Sequence, residues 1–415
     1  MNHATFPRLT PIAGVLAAAG LALTLAACGG GGGNSGVAAT TPAVSTPTTP
    51  TTPTTPSTPV SPVTTSVFAD TALVTDVAAA VAPSTPVAPG AYTQTRLAAS
   101  SAHVDANLIN PWGLAFNPAG FSWLANEGTS TSTLYDGNGV AQSLVVAVAA
   151  GSKGSAKPTG IVYNGTQDFK IAAAGKTGAA PFIFAGLAGT IAAWSPGVDA
   201  TNALTIVDNG ASGAVYKGLA IAAVSGVNYI YATDFHNGRV DIFDANFKPA
   251  TLPGSFKDPN LPANYVPFGI QAVGSSIYVS YVPVDPSTGA ERFGAGLGLV
   301  SQFDTSGNLI KELVLPGGAL NNPWGMAMAP ANFGQFSNDL LVGNFGDGTI
   351  HAFDPASGKL VGTISDASGA ALTYPGLWAI VFGNGIQNQP NNTLFYTAGT
   401  GGGAHGLYGR IDFVK

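Results

Sequence analysis

Four acidic and amide residues occupy equivalent places in a repeated pattern, each just before a short turn between two strand-like segments. They are Asn126, Glu127, Asp234 and Asn344. Carboxylate and amide oxygens are hard ligands, which suit calcium better than a soft metal. If the repeats bring these side chains to one axis, they predict a channel site for a ligand or a cation. The alternative is that each side chain hydrogen-bonds to the backbone of its own turn.

A second group of candidates lies in an irregular insertion over residues 283–298. The insertion contains Asp285, Glu291 and Arg292. Long irregular loops on a repetitive scaffold often carry binding specificity, so these three residues are candidate loop-binding residues. The alternative is a tolerated surface insertion. Three tryptophans also occupy equivalent repeat positions, for which packing is predicted and carbohydrate stacking is the alternative: Trp112, Trp324 and Trp378.

An internal repeat must position these candidates. A Pro-x-Gly-Leu/Ile opening, in places degenerate, recurs at intervals of about 50 residues, and a hairpin with a tight glycine turn follows it. The openings begin at Pro111, Pro158, Tyr216, Pro267, Pro323 and Leu377. Four short antiparallel strands per unit are typical of a propeller blade. The sequence predicts an all-β, six-bladed β-propeller of four-stranded antiparallel blades over residues 92–415, with seven blades as the alternative.

The ends of the predicted propeller need a closing strand, because the last unit ends after its third strand. Residues 92–97 are strand-like and are predicted to supply the missing outer strand. The more apolar stretch 67–82 is interpreted as a weakly structured connector, with one short helix as the alternative.

The repeats also carry a family resemblance. The opening and the Gly-Thr/Arg-Ile/Val-x-x-Phe-Asp hairpin resemble NHL-type propeller repeats. The span 92–415 is similar to an uncharacterised bacterial family of exported six-bladed propellers, through the motifs NLINPWGL at 107–114, NPWG at 322–325 and VGNF at 342–345. The resemblance implies the fold but little chemistry, because propellers host many functions.

Searches for catalytic motifs find no Gly-x-Ser-x-Gly elbow, Walker loop, EF-hand or His-x-x-x-His pair. The sequence therefore favours a protein that is not an enzyme and needs no cofactor, with calcium as the cation that the polar set would accept. Six-bladed lactonases are similar in holding one divalent metal on Asn, Asp and Glu. That resemblance implies, as the alternative, a metal-dependent hydrolase or lyase with its site in the central channel.

The N-terminus resembles a bacterial lipoprotein signal peptide over residues 1–27. Arg8 precedes an apolar segment at 12–24, which is too short to span a bilayer comfortably. Small residues then lead to Cys28, the single cysteine of the chain, which predicts lipidation there. Gly29 at the next position favours the outer membrane. Residues 28–91 are predicted to be the lipidated N-terminus and a disordered Gly/Thr/Pro-rich linker, since they bury few apolar side chains.

Composition limits the partners. The formal charge is −6 and basic residues are not clustered, which argues against nucleic acid. We expect a membrane-tethered extracytoplasmic module, exported and anchored in the cell envelope through the lipid on Cys28, that binds or scaffolds a protein or polysaccharide. A structural envelope lipoprotein is a further alternative. The oligomeric state is not predicted.

Overall fold

The computed structural model describes residues 66–77 and 102–414, all within one compact unit, Pro62–Lys415. The predicted signal peptide, Cys28 and the strand predicted at 92–97 lie outside the described residues, as does most of the predicted linker. Among the residues described, no helix is long and apolar enough to cross a bilayer.

The first half of the described chain forms twelve strands. Two strands precede the first repeat: β1 (Phe68–Thr75) and β2 (His103–Val104). The first repeat contains β3 (Pro111–Phe116), β4 (Ser122–Asn126), β5 (Thr131–Tyr135) and β6 (Ala141–Val148). The second contains β7 (Pro158–Tyr163), β8 (Lys170–Ala173), β9 (Lys176–Ala179), β10 (Phe182–Gly186), β11 (Thr190–Trp194) and β12 (Asn202–Asp208).

The second half contains the other four repeats. The third repeat forms β13 (Tyr216–Val224), β14 (Val227–Asp234) and β15 (Arg239–Asp244). The fourth forms β16 (Tyr265–Val273), β17 (Ser276–Pro283), β18 (Leu299–Asp304) and β19 (Leu309–Val314). The last two form β20 (Pro323–Met328), β21 (Leu340–Asn344), β22 (Ile350–Phe353), β23 (Leu360–Thr363), β24 (Leu377–Phe382), β25 (Thr393–Ala398) and β26 (Leu407–Phe413). Short helical turns occur at Gly210–Ser212, Gly334–Phe336 and Thr400–Gly403.

The opening strands of the repeats surround a common axis. They contact one another in chain order, from β3 through β7, β13, β16 and β20 to β24, and β24 contacts β3 again. The repeat glycine allows this close approach. A Cβ at Gly113 would collide with the carbonyl oxygen of Thr159, and one at Gly325 would collide with that of Trp378. The repeated glycine is therefore needed because the next strand passes directly over it.

The sheets do not divide into six separate four-stranded blades. Strand β12 pairs in parallel with β6, so the first two repeats share one eight-stranded sheet. The third repeat has three strands, because Pro249 and Pro253 lack the amide N–H groups that a fourth strand would need. The prediction of six such blades is therefore wrong, since only four sheets within residues 66–77 and 102–414 contain four or more strands. The predicted all-β, propeller-like class is confirmed.

The last sheet is closed by an upstream strand. Strand β1 pairs antiparallel with β26, from Phe68 opposite Phe413 to Thr75 opposite Leu407, and completes a five-stranded sheet. The interpretation of 67–82 as a connector or short helix is therefore wrong over β1. At the end of this strand, the Asp76 carboxylate lies 2.8 Å from Nδ1 of His405. Closure thus joins the two ends of the described chain, but not through the segment that the sequence predicted.

Candidate functional site

A cavity of about 750 Å³ lies at one end of the ring. Every residue directly before the repeat glycine, or before Ala379 in the last repeat, is buried: Trp112, Thr159, Lys217, Phe268, Trp324 and Trp378. Three of these residues, Trp112, Lys217 and Trp378, line the cavity. Loops between the strands supply the rest of the lining, including the insertion through Glu291 and Phe293. Strands of different repeats therefore converge on one cavity.

Stacked aromatic rings form one wall of the cavity. The ring centroids of Trp112 and Trp378 are 3.4 Å apart with an interplanar angle of 16°. Phe345 stacks on Trp378 at 4.0 Å and 18°. The Trp378 indole Nε1 donates a hydrogen bond of 3.1 Å to Oδ1 of Asn110. Because ring contacts and this hydrogen bond hold Trp378, the wall is fixed before any ligand arrives.

Lys217 places one buried positive charge in this apolar cavity. Its Nζ forms an ion pair with Oε1 of Glu291, and the side chains are 11% and 21% exposed. The same nitrogen lies 3.9 Å from the ring centroid of Phe235 and 5.2 Å from that of Phe268. Burial lowers the pKa of Lys217, and the Glu291 carboxylate opposes that shift. Aromatic faces and one carboxylate therefore stabilise the charged amine.

Trp112 leaves one hydrogen-bond donor unused. Among the described residues, its indole Nε1 has no hydrogen-bond partner, although the atom is buried. The equivalent nitrogen of Trp324 donates to the Lys217 carbonyl oxygen at 2.9 Å. The Trp112 ring centroid lies 5.9 Å from Lys217 Nζ. The unpaired indole N–H therefore lies near the amine but is not exposed to the cavity.

The predicted channel residues form separate hydrogen bonds that do not join them to one another. Asn126 donates to Oγ1 of Thr133 at 3.0 Å, and Asp234 accepts from the backbone N–H of Val215 at 3.1 Å. Asn344 donates to the carbonyl oxygen of Ala319 at 2.9 Å. These three residues are not part of the cavity lining. Asp234 also accepts a hydrogen bond from the backbone N–H of Asn237 in its own turn, as turn capping requires. A shared ligand-binding role of the three residues stays a prediction.

Glu127 is not part of the cavity lining but contacts Asn110, which is. Its carboxylate accepts a hydrogen bond of 2.8 Å from Nδ2 of Asn110, whose Oδ1 holds Trp378. It also lies 3.0 Å from Nζ of Lys157. The described residues contain no group of three His, Cys, Asp or Glu side chains that could hold a metal ion. Glu127 is therefore placed to orient the wall through Asn110.

Only one of the three predicted insertion residues reaches the cavity. Asp285 accepts from the backbone N–H of Ser287 at 2.8 Å, and hydrogen bonds from Ser287 lower the pKa of its carboxyl. Arg292 is exposed, whereas Glu291 contacts Lys217. The sequence analysis missed Lys217. The signal was available, because Lys217 is the only charged residue at the position before the repeat glycine.

The strands and the cavity define a propeller-like all-β protein with a pocket at one end of its axis. No family model matches the chain. An uncharacterized protein of Acanthamoeba polyphaga mimivirus is 32% identical over 320 residues, which cover 75% of this chain and 76% of that protein. A second one is 31% identical over 284 residues, covering 67% and 74%. The chain belongs to the same family as these mimivirus proteins. Membership of a bacterial NHL-type family stays a prediction.

Among solved structures, distant similarities were found. Virginiamycin B lyase from Staphylococcus aureus aligns with a TM-score of 0.40 and 13% identity, covering 74% of this chain and 98% of that chain. A nidogen/laminin complex aligns with a TM-score of 0.39 and 13% identity, covering 65% and 82%. Likenesses this distant carry no information about the chemistry of the cavity.

Proposed function

We propose that this protein is a binding module, without catalysis of its own, whose axial cavity receives the end unit of a polysaccharide. The observation that carries the proposal is the cavity itself, of about 750 Å³ and lined by Trp112, Phe345 and Trp378 beside one buried ion pair. A cavity of this size is typical of sites that enclose a small organic group. It is less suited to a flat protein surface, which remains the alternative partner.

Phe293 is the aromatic residue best placed to meet such a ligand first. Its side chain lines the cavity although the residue is 55% exposed, and its ring centroid lies 5.7 Å from that of Phe345. An exposed aromatic ring beside a concave site offers a face on which a sugar ring can stack. Phe293 therefore supports binding at the mouth, while the buried rings fix the shape of the cavity.

The same proposal places the module at a membrane. Its support is the lipoprotein-like N-terminus, in which Cys28 follows a short apolar segment. A lipid on Cys28 would tether the propeller to the cell envelope, and the predicted linker would hold it away from the lipid surface. Tethering and ligand binding are separable parts of the proposal, because they rest on different residues.

The binding part is tested with purified full-length protein on an array of neutral and acidic oligosaccharides. Phe293→Ala should weaken binding of any captured oligosaccharide about tenfold, equivalent to about 1.4 kcal/mol. The control is Leu360→Ala on β23, since Leu360 is 51% exposed and is not part of the cavity lining. If no oligosaccharide binds, or if both variants bind like the wild type, the proposed site is wrong.

A further inference from the structure

A buried ion pair such as Lys217–Glu291 is unusual in a packed ring of strands. The other five repeats place uncharged residues at the position of Lys217, three of them tryptophan. Burying a charge is unfavourable unless a partner compensates it, and replacing a buried ion pair by apolar side chains is often neutral or stabilising. The ring could therefore close with an apolar residue here, and the charge calls for another explanation.

The partner of Lys217 comes from the irregular insertion rather than from the ring. Residues 284–293 extend β17 as a small hairpin: Val284 and Glu291 form a bridge, and the backbone N–H of Arg292 donates to the Pro283 carbonyl at 2.9 Å. The Glu291 side chain is about twice as exposed as that of Lys217, at 21% against 11%. Glu291 is thus the member of the pair that can leave toward solvent.

We propose that Glu291 occupies the place of a ligand carboxylate, and that the ligand is an acidic sugar whose carboxylate replaces Glu291 at Lys217. The inference rests on the proposed function and adds the class of ligand. The exchange keeps the buried charges balanced, because one carboxylate replaces another while Glu291 gains hydration. The incoming carboxylate would accept a hydrogen bond from the Lys217 ammonium group, as the Glu291 carboxylate does. Charge-assisted hydrogen bonds of this kind are stronger than neutral ones.

This exchange also sets the selectivity of the cavity. A neutral sugar has no carboxylate that could pair with the Lys217 amine in place of Glu291. Glu291 therefore stays at Lys217 and hinders the sugar from entering the cavity. A cationic ligand would meet the charge of Lys217 directly. The cavity therefore distinguishes acidic from neutral ligands by whether the ligand pairs with the buried Lys217 amine, because leaving that amine unpaired is unfavourable.

The test compares D-glucuronate with D-glucose, which differ by the carboxylate, in calorimetric titrations of the full-length protein. Wild type should bind glucuronate at least tenfold more tightly than glucose. Glu291→Gln removes the competing charge, so glucuronate affinity should rise about tenfold while glucose affinity changes little. Lys217→Met should lose the preference for glucuronate. Asp285→Asn is the control on the same insertion, because Asp285 caps its own turn, and it should leave both affinities unchanged.

The outcomes separate this inference from the proposed function. If glucose and glucuronate bind the wild type equally and Phe293→Ala weakens both, the binding site stands and the role of Glu291 is wrong. If Glu291→Gln is folded, judged by its thermal melt, and binds glucuronate no better than the wild type, the role of Glu291 is also wrong. If neither sugar binds the wild type or Glu291→Gln while the array captures an oligosaccharide, the acidic-sugar inference is wrong and the binding module stands. If the array captures none either, both proposals fail. The affinities of Glu291→Gln test the role of Glu291 even if Lys217→Met does not fold.

Discussion

The closing strand β1 gives the sharpest test of the fold, and Phe68 is the residue through which to test it. Phe68 is 2% exposed. Its ring centroid lies 5.7 Å from that of Phe336 at an interplanar angle of 10°, and 5.0 Å from that of Phe333. On β26 its pairing partner is Phe413, with the ring centroids 5.8 Å apart. One side chain therefore joins the upstream strand to the last two repeats.

We expect Phe68→Ala to lower the free energy of unfolding by about 3–5 kcal/mol, the usual loss for truncating a buried phenylalanine. The loss has two parts, the transfer of the ring out of its apolar site and the cavity left among the surrounding rings. The cavity should collapse only in part, because Phe333 and Phe336 are themselves buried and packed. The measurement is equilibrium denaturation of the full-length protein in urea, followed by tryptophan fluorescence and by circular dichroism. Coincidence of the two signals checks that unfolding is two-state.

Leu97→Ala is the matched comparison, because residues 92–97 were predicted from sequence to close the ring. If β1 rather than 92–97 closes the ring, Leu97→Ala should change the free energy of unfolding by less than about 0.5 kcal/mol. The opposite ranking, with Phe68→Ala near the wild type and Leu97→Ala costing several kcal/mol, would refute the closure described here.

Three further predictions concern separate parts of the chain. Cys28→Ser should abolish incorporation of a labelled fatty acid and leave an unprocessed precursor, and equal label in both proteins would contradict the lipidation. Burial lowers the pKa of His351, so the unfolded state binds more protons and stability should fall as the pH drops below about 6.5. His351→Gln should remove up to about 1.4 kcal/mol per pH unit of that dependence, and denaturation curves at pH 5, 6 and 7 that shift equally in both proteins would contradict it. Alanine substitutions at Asn126, Asp234 and Asn344 should add to within about 0.5 kcal/mol when combined, because the three side chains share no hydrogen-bond partner. A strongly non-additive loss, or a calcium-dependent melting temperature in the wild type alone, would instead show a shared site.

The repeated opening and the tight hairpins could be predicted from sequence because they depend on local chemistry. Gly238 and Gly348 adopt φ values of 66° and 75°, which favour glycine, in the turns predicted from Asn-Gly and Asp-Gly. The glycine of the first five openings marks a strand over which its neighbour passes closely. Short-range patterns of this kind identified the all-β, propeller-like class before any long-range contact was known.

The partition of strands into sheets could not be predicted in this way. Nothing in the local sequence of β6 indicates that it pairs with β12, because the backbone groups that join them are the same in every residue. The closing strand posed a similar problem, since residues 92–97 have a strand-like pattern whereas 67–82 were interpreted as a connector or short helix. The choice depended on packing around Phe68, which involves residues far along the chain.

The candidate site, too, could be predicted from sequence only in part. The sequence by itself determined which side chains could do chemistry: the capping Asn and Asp residues, the acidic insertion, the tryptophans and the single cysteine. The tertiary structure alone decided which of them meet. It left Asn126, Asp234 and Asn344 in separate loops, and it brought Glu291 to Lys217. An ion pair between residues so far apart in the chain has no local signature, because its energy depends on the burial and the neighbours that folding creates.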